Sequence, residues 1–331
     1  MPANMAASFG GRVDLLQVFL LVDPQRPLVI VNPRSGGAAL SESRWARILG
    51  ELTEGLGPTD SVFTAGPRDA TTIARREAEY GRRLVIAFGG DGTISEVSSG
   101  ILEAGAGART ELGIIPRGTG GDFRRTLELP TEPGEAARRI REGRVQVIDA
   151  GHARYIDHEG APAERHFFNV ASFGFSSAVA SRANASSKRF GGKIAYLGAT
   201  VRALASYDNT DVWLTLDGKP RERRRVLLTA IGNGRFFGGG MKICPNAKLD
   251  TGVLDVVVVG DFSRAEVLMK VRRLYDGSHL ELEEVQNMTA RTLTAEAVEG
   301  DVQIPIELDG ETPGRLPATF EVVPGALRVR V

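Results

Sequence analysis

Cysteine occurs once in this sequence, at Cys244, which excludes an intramolecular disulfide framework and a cysteine-rich metal site. The four histidines are scattered without metal-ligand spacing, and no Ser-His-Asp constellation or Cys-His pair can be assembled. An excess of one charge is missing too: 41 Lys and Arg balance 41 Asp and Glu, so no nucleic-acid partner is expected. No apolar run approaches the roughly 20 residues of a membrane-spanning helix. Leu15 to Val22, the most apolar N-terminal piece, is too short to span and lacks the basic region and cleavage site of a secretory signal. These absences suit a cytoplasmic protein whose contact with membrane, if any, is peripheral. A Gly-x-x-x-x-Gly-Lys-Ser/Thr phosphate loop is absent, and the first strand-to-helix turn carries no convincing Gly-x-Gly-x-x-Gly.

What is present is concentrated around Leu84-Val-Ile-Ala-Phe-Gly-Gly-Asp-Gly-Thr93. Leu84 to Phe88 are apolar without alternation, the pattern of a strand covered on both faces. Gly89, Gly90, Asp91, Gly92 and Thr93 form a polar turn, after which Ile94, Val97, Ile101 and Leu102 follow helical spacing. Backbone amides exposed by missing side chains, at the positive end of a helix, make a site for phosphate oxygens. Asp91 would repel phosphate unless a divalent cation lay between them, which points to magnesium and a nucleotide. The plainer alternative is a glycine-rich turn that only reverses the chain.

The chain of 331 residues is long enough for about two domains. Residues 1 to about 26 read as a loosely specified leader. Leu28 to Val31 is the first strand and enters Asn32-Pro-Arg-Ser-Gly-Gly37. An amphipathic helix over Leu40 to Leu56, a strand from Ser61 to Ala65 and a helix over about residues 69 to 80 precede the Leu84 strand. Glu111 to Ile115 then leads into Pro116-Arg-Gly-Thr-Gly-Gly-Asp-Phe-Arg-Arg125, a third glycine-rich turn, with Asp122 as its carboxylate. The β-α-β-α-β-α order predicts a mostly parallel sheet with three polar loops on one rim.

From about residue 151 the pattern becomes β-rich, with strands at His166 to Val170, Val212 to Leu216, Val226 to Ile231, Val253 to Val259 and Val302 to Leu308. Helices are expected near Ile194 to Tyr207 and over Arg264 to Tyr275, where Leu268, Val271 and Tyr275 share a face. Glu321 to Val331 is a last strand. Asn169 either faces an interdomain cleft or is a satisfied turn residue. Asn233 to Gly240 either lies against a ligand or is a flexible hairpin. The basic run Arg221, Arg223, Arg224 and Arg225 is either a solvated face or a contact for anionic lipid. Asp309, in Leu308-Asp-Gly-Glu311, fits a general base equally as well as an ordinary β-turn.

Taken together, these motifs resemble the diacylglycerol kinase catalytic-domain family, which includes bacterial soluble lipid kinases and sphingosine and ceramide kinases. NAD kinases are a more distant likeness. The resemblance covers roughly residues 27 to 331. It rests on Asn32-Pro-x-Ser-Gly36, Gly89-Gly-Asp-Gly-Thr93 with Glu96-Val97, Pro116-x-Gly-Thr-Gly120 with Asp122-Phe123-x-Arg125, Asn233-Gly with Gly238-Gly-Gly240 and Pro245, Gly252-x-Leu-Asp255, and Leu308-Asp-Gly-Glu311.

The resemblance implies an α/β nucleotide-binding domain over residues 27–150, completed by 316–331, and a β-sandwich-like lipid domain over 151–315. It implies ATP and Mg2+ in the cleft and phosphoryl transfer to a diacylglycerol-like or sphingoid lipid alcohol at a membrane surface. A homo-oligomer is compatible with this reading. Asn32, Ser35, Gly36, Gly89 to Thr93, Glu96, Gly118, Thr119 and Gly120 would hold the nucleotide. Asp309 would be the base with Glu311 beside it, and Asp91, Asp122 and, less directly, Asp250 would serve the metal. Two positions depart from the family: Gly121 stands where Asn is usual, and Thr251 stands where a second Asp is usual. The alternatives are a noncatalytic nucleotide- or lipid-binding regulator on the same fold and an NAD-kinase-like enzyme.

Overall fold

A computed structural model describes residues 23–36, 40–118, 120–175, 208–299 and 302–331. Thr119, most of the leader and the helix expected near Ile194 to Tyr207 lie outside the described residues.

The first half is a parallel sheet of β1 (Leu28–Val31), β2 (Asp60–Phe63), β3 (Leu84–Gly89) and β4 (Glu111–Pro116), in the order β2-β1-β3-β4. Continuous apolar runs are required because both faces are covered. Ile30, Ala87 and Ile114 pack with Ile73 of α2 (Asp69–Glu79) and with Val97 and Ile101 of α3 (Asp91–Glu103). Their neighbours Val29, Val31, Ile86, Phe88 and Ile115 face the opposite way. They meet Trp45, Ile48 and Leu52 of α1 (Glu42–Leu56) and, beyond the short α4 (Asp122–Leu127), Ile140 of α5 (Pro133–Glu142). Ser41 caps α1 by accepting from the Arg44 amide, and Pro133 opens α5, where its missing N–H costs nothing.

The second half is a β-sandwich. One layer contains β12 (Val285–Ala290), β11 (Leu254–Val259), β10 (Leu228–Gly232), β7 (Val170–Gly174) and β14 (Pro305–Leu308). The other contains β9 (Glu222–Val226), β8 (Thr210–Leu216), β13 (Thr292–Ala297), β15 (Glu311–Arg330), β5 (Val145–Asp157) and β6 (Pro162–Phe167). Phe173, Val256, Leu293 and Phe320 fill the space between them. β5 and β15 pair along most of their length, and β15 ends parallel to β4 through Arg328 and Val329. Two strands therefore pass from one half to the other and fix the rim of the parallel sheet against the sandwich.

Several expected elements differ, among them the last strand, which begins at Glu311 and not at Glu321. The run Val226 to Ile231 is two strands, because at Leu227 the chain leaves its pairing with β8 and joins β11 and β7. The run His166 to Val170 breaks at Phe168 and Asn169, whose amides turn to a carboxylate instead of a ladder. The helix over Arg264 to Tyr275 is divided into α6 (Arg264–Lys270) and α7 (Arg273–Asp276), and Val271 lines a partly open apolar cavity while Leu268 and Tyr275 stay exposed. The basic run on β9 pairs locally: Arg223 and Arg225 reach Asp211, and Arg224 reaches Glu222. No helix among the described residues is long and apolar enough to cross a membrane.

One buried cation holds the entry to the parallel sheet. Arg82 is 2% exposed and donates to Glu77 at 2.8 Å, Asp60 at 2.9 Å and the carbonyls of Asp23 at 2.8 Å and Arg26 at 2.9 Å. Arg82→Met leaves buried Glu77 with only the half-exposed Arg76 as a charged partner, so urea unfolding is expected to show a loss of about 2 kcal/mol. A loss below about 1 kcal/mol would mean that these acceptors are rehydrated without cost.

Candidate active site

The three glycine-bearing loops meet at the C-terminal ends of β1, β3 and β4. Asn32 follows β1 and donates from Nδ2 to Thr93 Oγ1 at 3.0 Å, while Ser35 Oγ donates to the Asn32 carbonyl at 2.8 Å. Gly36 takes φ +77° and lies against Arg117, whose guanidinium donates to Ser35 Oγ at 3.3 Å. Burial lowers the Arg117 pKa, and Arg44 lowers it further. Gly90 and Gly118 pack backbone to backbone: a Cβ on Gly118 would lie 3.1 Å from the Gly90 Cα. A side chain at Gly118 would push the loops apart, whereas a Cβ at Gly90 would make only ordinary contacts.

Asp91 joins two of these loops. It is the first residue of α3, and its carboxylate crosses to the start of α4, accepting from the amides of Gly121 at 2.8 Å, Asp122 at 3.2 Å and Phe123 at 3.2 Å. The α3 helix begins at Asp91, not Ile94, so the amides of Asp91, Gly92 and Thr93 lie in its first turn, where helix geometry supplies no intrahelical acceptor. Thirteen residues of aligned peptide dipoles stand behind them. Such a turn can receive anionic oxygens.

Asp309 reaches the same helix from the sandwich. Leu308 pairs with Glu311, so Asp309 and Gly310 form a two-residue hairpin turn, with φ +49° and +90°. The Asp309 carboxylate accepts from the amides of Phe168 at 2.8 Å, Asn169 at 2.9 Å and Val170 at 3.2 Å, and from Ser95 Oγ of α3 at 3.3 Å. Burial raises its pKa, against the lowering effect of the amide bonds. Glu311 points elsewhere, to Arg165 at 2.5 Å; burial weakens the Arg165 cation, but Glu311, Asp309 and Tyr155 together outweigh it and the Arg165 pKa is raised.

Two segments missed or left open in the sequence complete the cleft. The Asn233 to Gly240 segment lies against α4: Gly239 N donates to Asp122 Oδ2 at 2.8 Å, and Arg235 N to Thr126 Oγ1 at 3.1 Å. Asp122 also takes a 2.7 Å bond from Arg125, and burial raises its pKa despite these donors. Asn169 serves the turn by donating to the Phe236 carbonyl at 2.5 Å, while its buried Oδ1 has no partner among the described residues. Glu307, two residues before Asp309, is 7% exposed and accepts from Ser172 Oγ at 3.0 Å. Burial pushes its pKa up to about 7, and the fields of Asp309 and Asp122 act in the same direction.

Residues 26–153 match the family described as the diacylglycerol kinase catalytic domain, and residues 169–331 match the YegS C-terminal NAD kinase beta sandwich-like domain. A diacylglycerol kinase of Mycobacterium tuberculosis (strain CDC 1551 / Oshkosh) is 33% identical over 301 residues, spanning 91% of this chain and 93% of its own. The chain belongs to the diacylglycerol kinase catalytic-domain family. A solved diacylglycerol kinase of Bacillus anthracis str. Sterne superimposes with a TM-score of 0.68 at 25% identity, over 92% of this chain and 96% of that one. Yeast NADH kinase shares the fold, with a TM-score of 0.50 at 10% identity over 93% of this chain and 83% of that one. Family membership makes the protein an ATP-dependent lipid kinase.

Within this diacylglycerol kinase-family chain, the structure brings Asn32, Ser35, Gly36, Gly89 to Thr93, Gly118 and Gly120 to one rim, with Asp122 beside Asp91. Glu96 lies apart from the loops and accepts from the Arg68 amide at the start of α2, at 3.1 Å. Asp250 lines a different depression with Arg139, Arg144 and Lys248. Gly121 adopts φ +64°, a left-handed geometry that glycine and asparagine both tolerate, so its replacement of Asn keeps the backbone and removes only an amide group. Near Thr251 the turn is held by buried Asp149, which accepts from Gly252 N at 2.7 Å and Gly325 N at 2.8 Å. Asp149 was legible only as a carboxylate interrupting an apolar strand. Ser95, Arg117 and Glu307 had no sequence signal.

Glu307 makes stability depend on pH. Its folded-state pKa of about 7 lies above the ordinary 4.5, so the folded protein retains a proton that the unfolded chain releases. Its contribution is therefore most favourable below the lower value, falls as pH rises through the window and is fully lost above the upper one. The difference is about 3 kcal/mol at 1.36 kcal/mol per pKa unit. Glu307→Gln is expected to gain stability relative to wild type between about pH 5 and 8, read from urea unfolding. Parallel profiles for the two proteins would show that Glu307 does not change protonation there.

Proposed function

We propose that the protein transfers the γ-phosphoryl group of ATP to the hydroxyl of a diacylglycerol-like or sphingoid lipid, with Asp309 as the general base. The observation that carries this is the 3.3 Å approach of Ser95 Oγ to Asp309 Oδ2. Ser95 lies one turn, about 6 Å of rise, after Asp91 on α3. The helix whose first turn can receive phosphate therefore also meets the carboxylate suited to an acceptor hydroxyl. In the reaction, the lipid oxygen attacks the γ-phosphorus as the bond to the β-phosphate oxygen breaks. ADP leaves, and the hydroxyl proton passes to the Asp309 carboxylate. Three backbone amides hold that carboxylate in place, and the longer Ser95 contact is the one an incoming hydroxyl replaces.

In this reading the nucleotide domain is residues 27–150 completed by 316–331, and the lipid domain is 151–315. The amides of Asp91 to Thr93 receive phosphate oxygens, and the Asn32, Ser35–Gly36, Gly118 and Gly120 loops close around them. Among the described residues there is no group of three or more His, Cys, Asp and Glu able to hold a metal by themselves. That fits Mg2+, which keeps several waters and takes one or two carboxylates plus substrate phosphates. Asp91 has three amide donors on a group with roughly four acceptor sites, which leaves one on Oδ1 for a bridging water. Asp122 accepts from Arg125 on one oxygen and from Gly239 on the other, which by the same count leaves one site on each for the same water shell. Bound Mg2+ would neutralise phosphate charge.

An apolar cavity of about 90 Å³, lined by Phe175, Phe237, Met241, Phe262 and Leu274 among others, supports a lipid acceptor. Phe237 and Met241 pair with each other at the end of the segment whose Gly239 donates to Asp122. The cavity holds about three water-sized groups, enough for the first methylenes of a chain.

With ATP and Mg2+, labelled phosphate is expected to pass to a lipid alcohol in vesicles and not to NAD. Asp309→Asn should lower the rate by about 100-fold or more while retaining ATP binding. Transfer by the variant at the wild-type rate would remove Asp309 from the role of base, and wild-type transfer to NAD alone would overturn the lipid reading.

A further inference from the structure

The wall of the apolar cavity has a second face. Val267, Lys270, Val271 and Leu274 of the α6–α7 segment line the cavity, whereas Ala265, Leu268, Met269 and Tyr275 are exposed, together with the charged Arg264, Arg272, Arg273 and Asp276. Leu268 is 60%, Met269 71% and Tyr275 59% exposed. Among the described residues, the other large apolar side chains in the open, Phe63, Tyr80, Val147 and Val302, are far apart in sequence. Such clustering on one short segment is costly in water and marks a contact surface.

We propose that this outward face of α6–α7 is a membrane-docking surface that enters the headgroup layer of a phospholipid bilayer. The inference rests on the lipid-acceptor reading above and adds the place where the protein meets the membrane. Three observations favour a bilayer over a second protein surface. The segment is the partition between solvent and an apolar cavity, so a lipid leaving a membrane beside it reaches the cavity by the shortest apolar route. The exposed charges of the segment are Arg264, Arg272, Arg273 and Asp276, a basic excess, and Arg272 among the described residues has no carboxylate partner and matches a phosphate headgroup. Leu268 and Met269 offer apolar depth, while Tyr275 joins an apolar ring to a polar hydroxyl, the combination suited to a membrane interface. A cavity of about 90 Å³ cannot contain a long acyl chain, so most of that chain must remain in an apolar medium outside, as docking at this face allows.

The test is cosedimentation of the full chain with phosphatidylcholine vesicles, with and without phosphatidylglycerol. Leu268→Ser/Met269→Ser/Tyr275→Ser is expected to lower vesicle partitioning about tenfold or more. Arg272→Glu, a milder surface change that guards against misfolding of the triple variant, is expected to lower binding to the anionic vesicles selectively. The triple variant should raise KM for long-chain diacylglycerol in vesicles while leaving turnover of a water-soluble short-chain diacylglycerol within about twofold. Vesicle binding equal to wild type in both variants would overturn the proposal. So would a wild-type dimer that the triple variant converts to monomer with vesicle binding unchanged, since the face would then belong to a second copy. If wild type binds vesicles through this face but phosphorylates no lipid, docking stands and the acceptor reading falls.

Discussion

The reach of the Asp91 carboxylate across to the amides of Gly121, Asp122 and Phe123 is the interaction on which the cleft depends. It satisfies the orphan donors of α4 with a charged acceptor, and such bonds are stronger than neutral ones. Because Asp91 is also the first residue of α3, the two helix starts are tied together at their positive ends. The close approach of Gly90 to Gly118 depends on the same tie, since the backbones meet there without intervening side chains. With α4 held in this way, Asp122 and Thr126 are presented to Gly239 and Arg235, and the sandwich is docked on the parallel sheet.

A second carboxylate performs the corresponding task from the other side. Asp309 replaces the ladder partner that Phe168 to Val170 would otherwise need, so breaking one strand and anchoring one turn are the same event. The left-handed backbone at Asp309 and Gly310 is what aims the carboxylate back into the sandwich edge. Burial around this point raises the pKa of Asp309, Asp122 and Glu307 alike, and each is compensated differently: chiefly backbone amides at Asp309, Gly239 and Arg125 at Asp122, and Ser172 with the Gly310 amide at Glu307. Glu307 is the one carried to about 7, where the fields of Asp309 and Asp122 add to the effect of burial.

Much of the first half was legible because local pattern and tertiary environment agree there. Leu84 to Phe88 read as a doubly covered strand and is one; the helices after it follow apolar spacing that matches their buried faces. In the second half, pattern and pairing separate. Nothing in Val226 to Ile231 marks Leu227 as the place where the chain changes partners, because both sides of the break are equally apolar. The α6–α7 segment read as one amphipathic helix, yet its exposed stripe is itself apolar, so hydrophobicity alone could not tell the core face from the solvent face.

By itself the sequence determined the parallel sheet, the β-rich second half, the three glycine turns and the family, because these rest on side-chain periodicity and on residue types at short, ordered spacing. Only the tertiary structure decided what each carboxylate does. Asp91 and Asp309 look alike as residues beside glycine, but one closes a helix start and the other a broken strand; Glu311 turns away to Arg165, Glu96 to Arg68, and Glu307 is buried near the cleft. A carboxylate's role is set by the donors and the dielectric around it, and here those come from positions as far apart as Ser95 and Asp309.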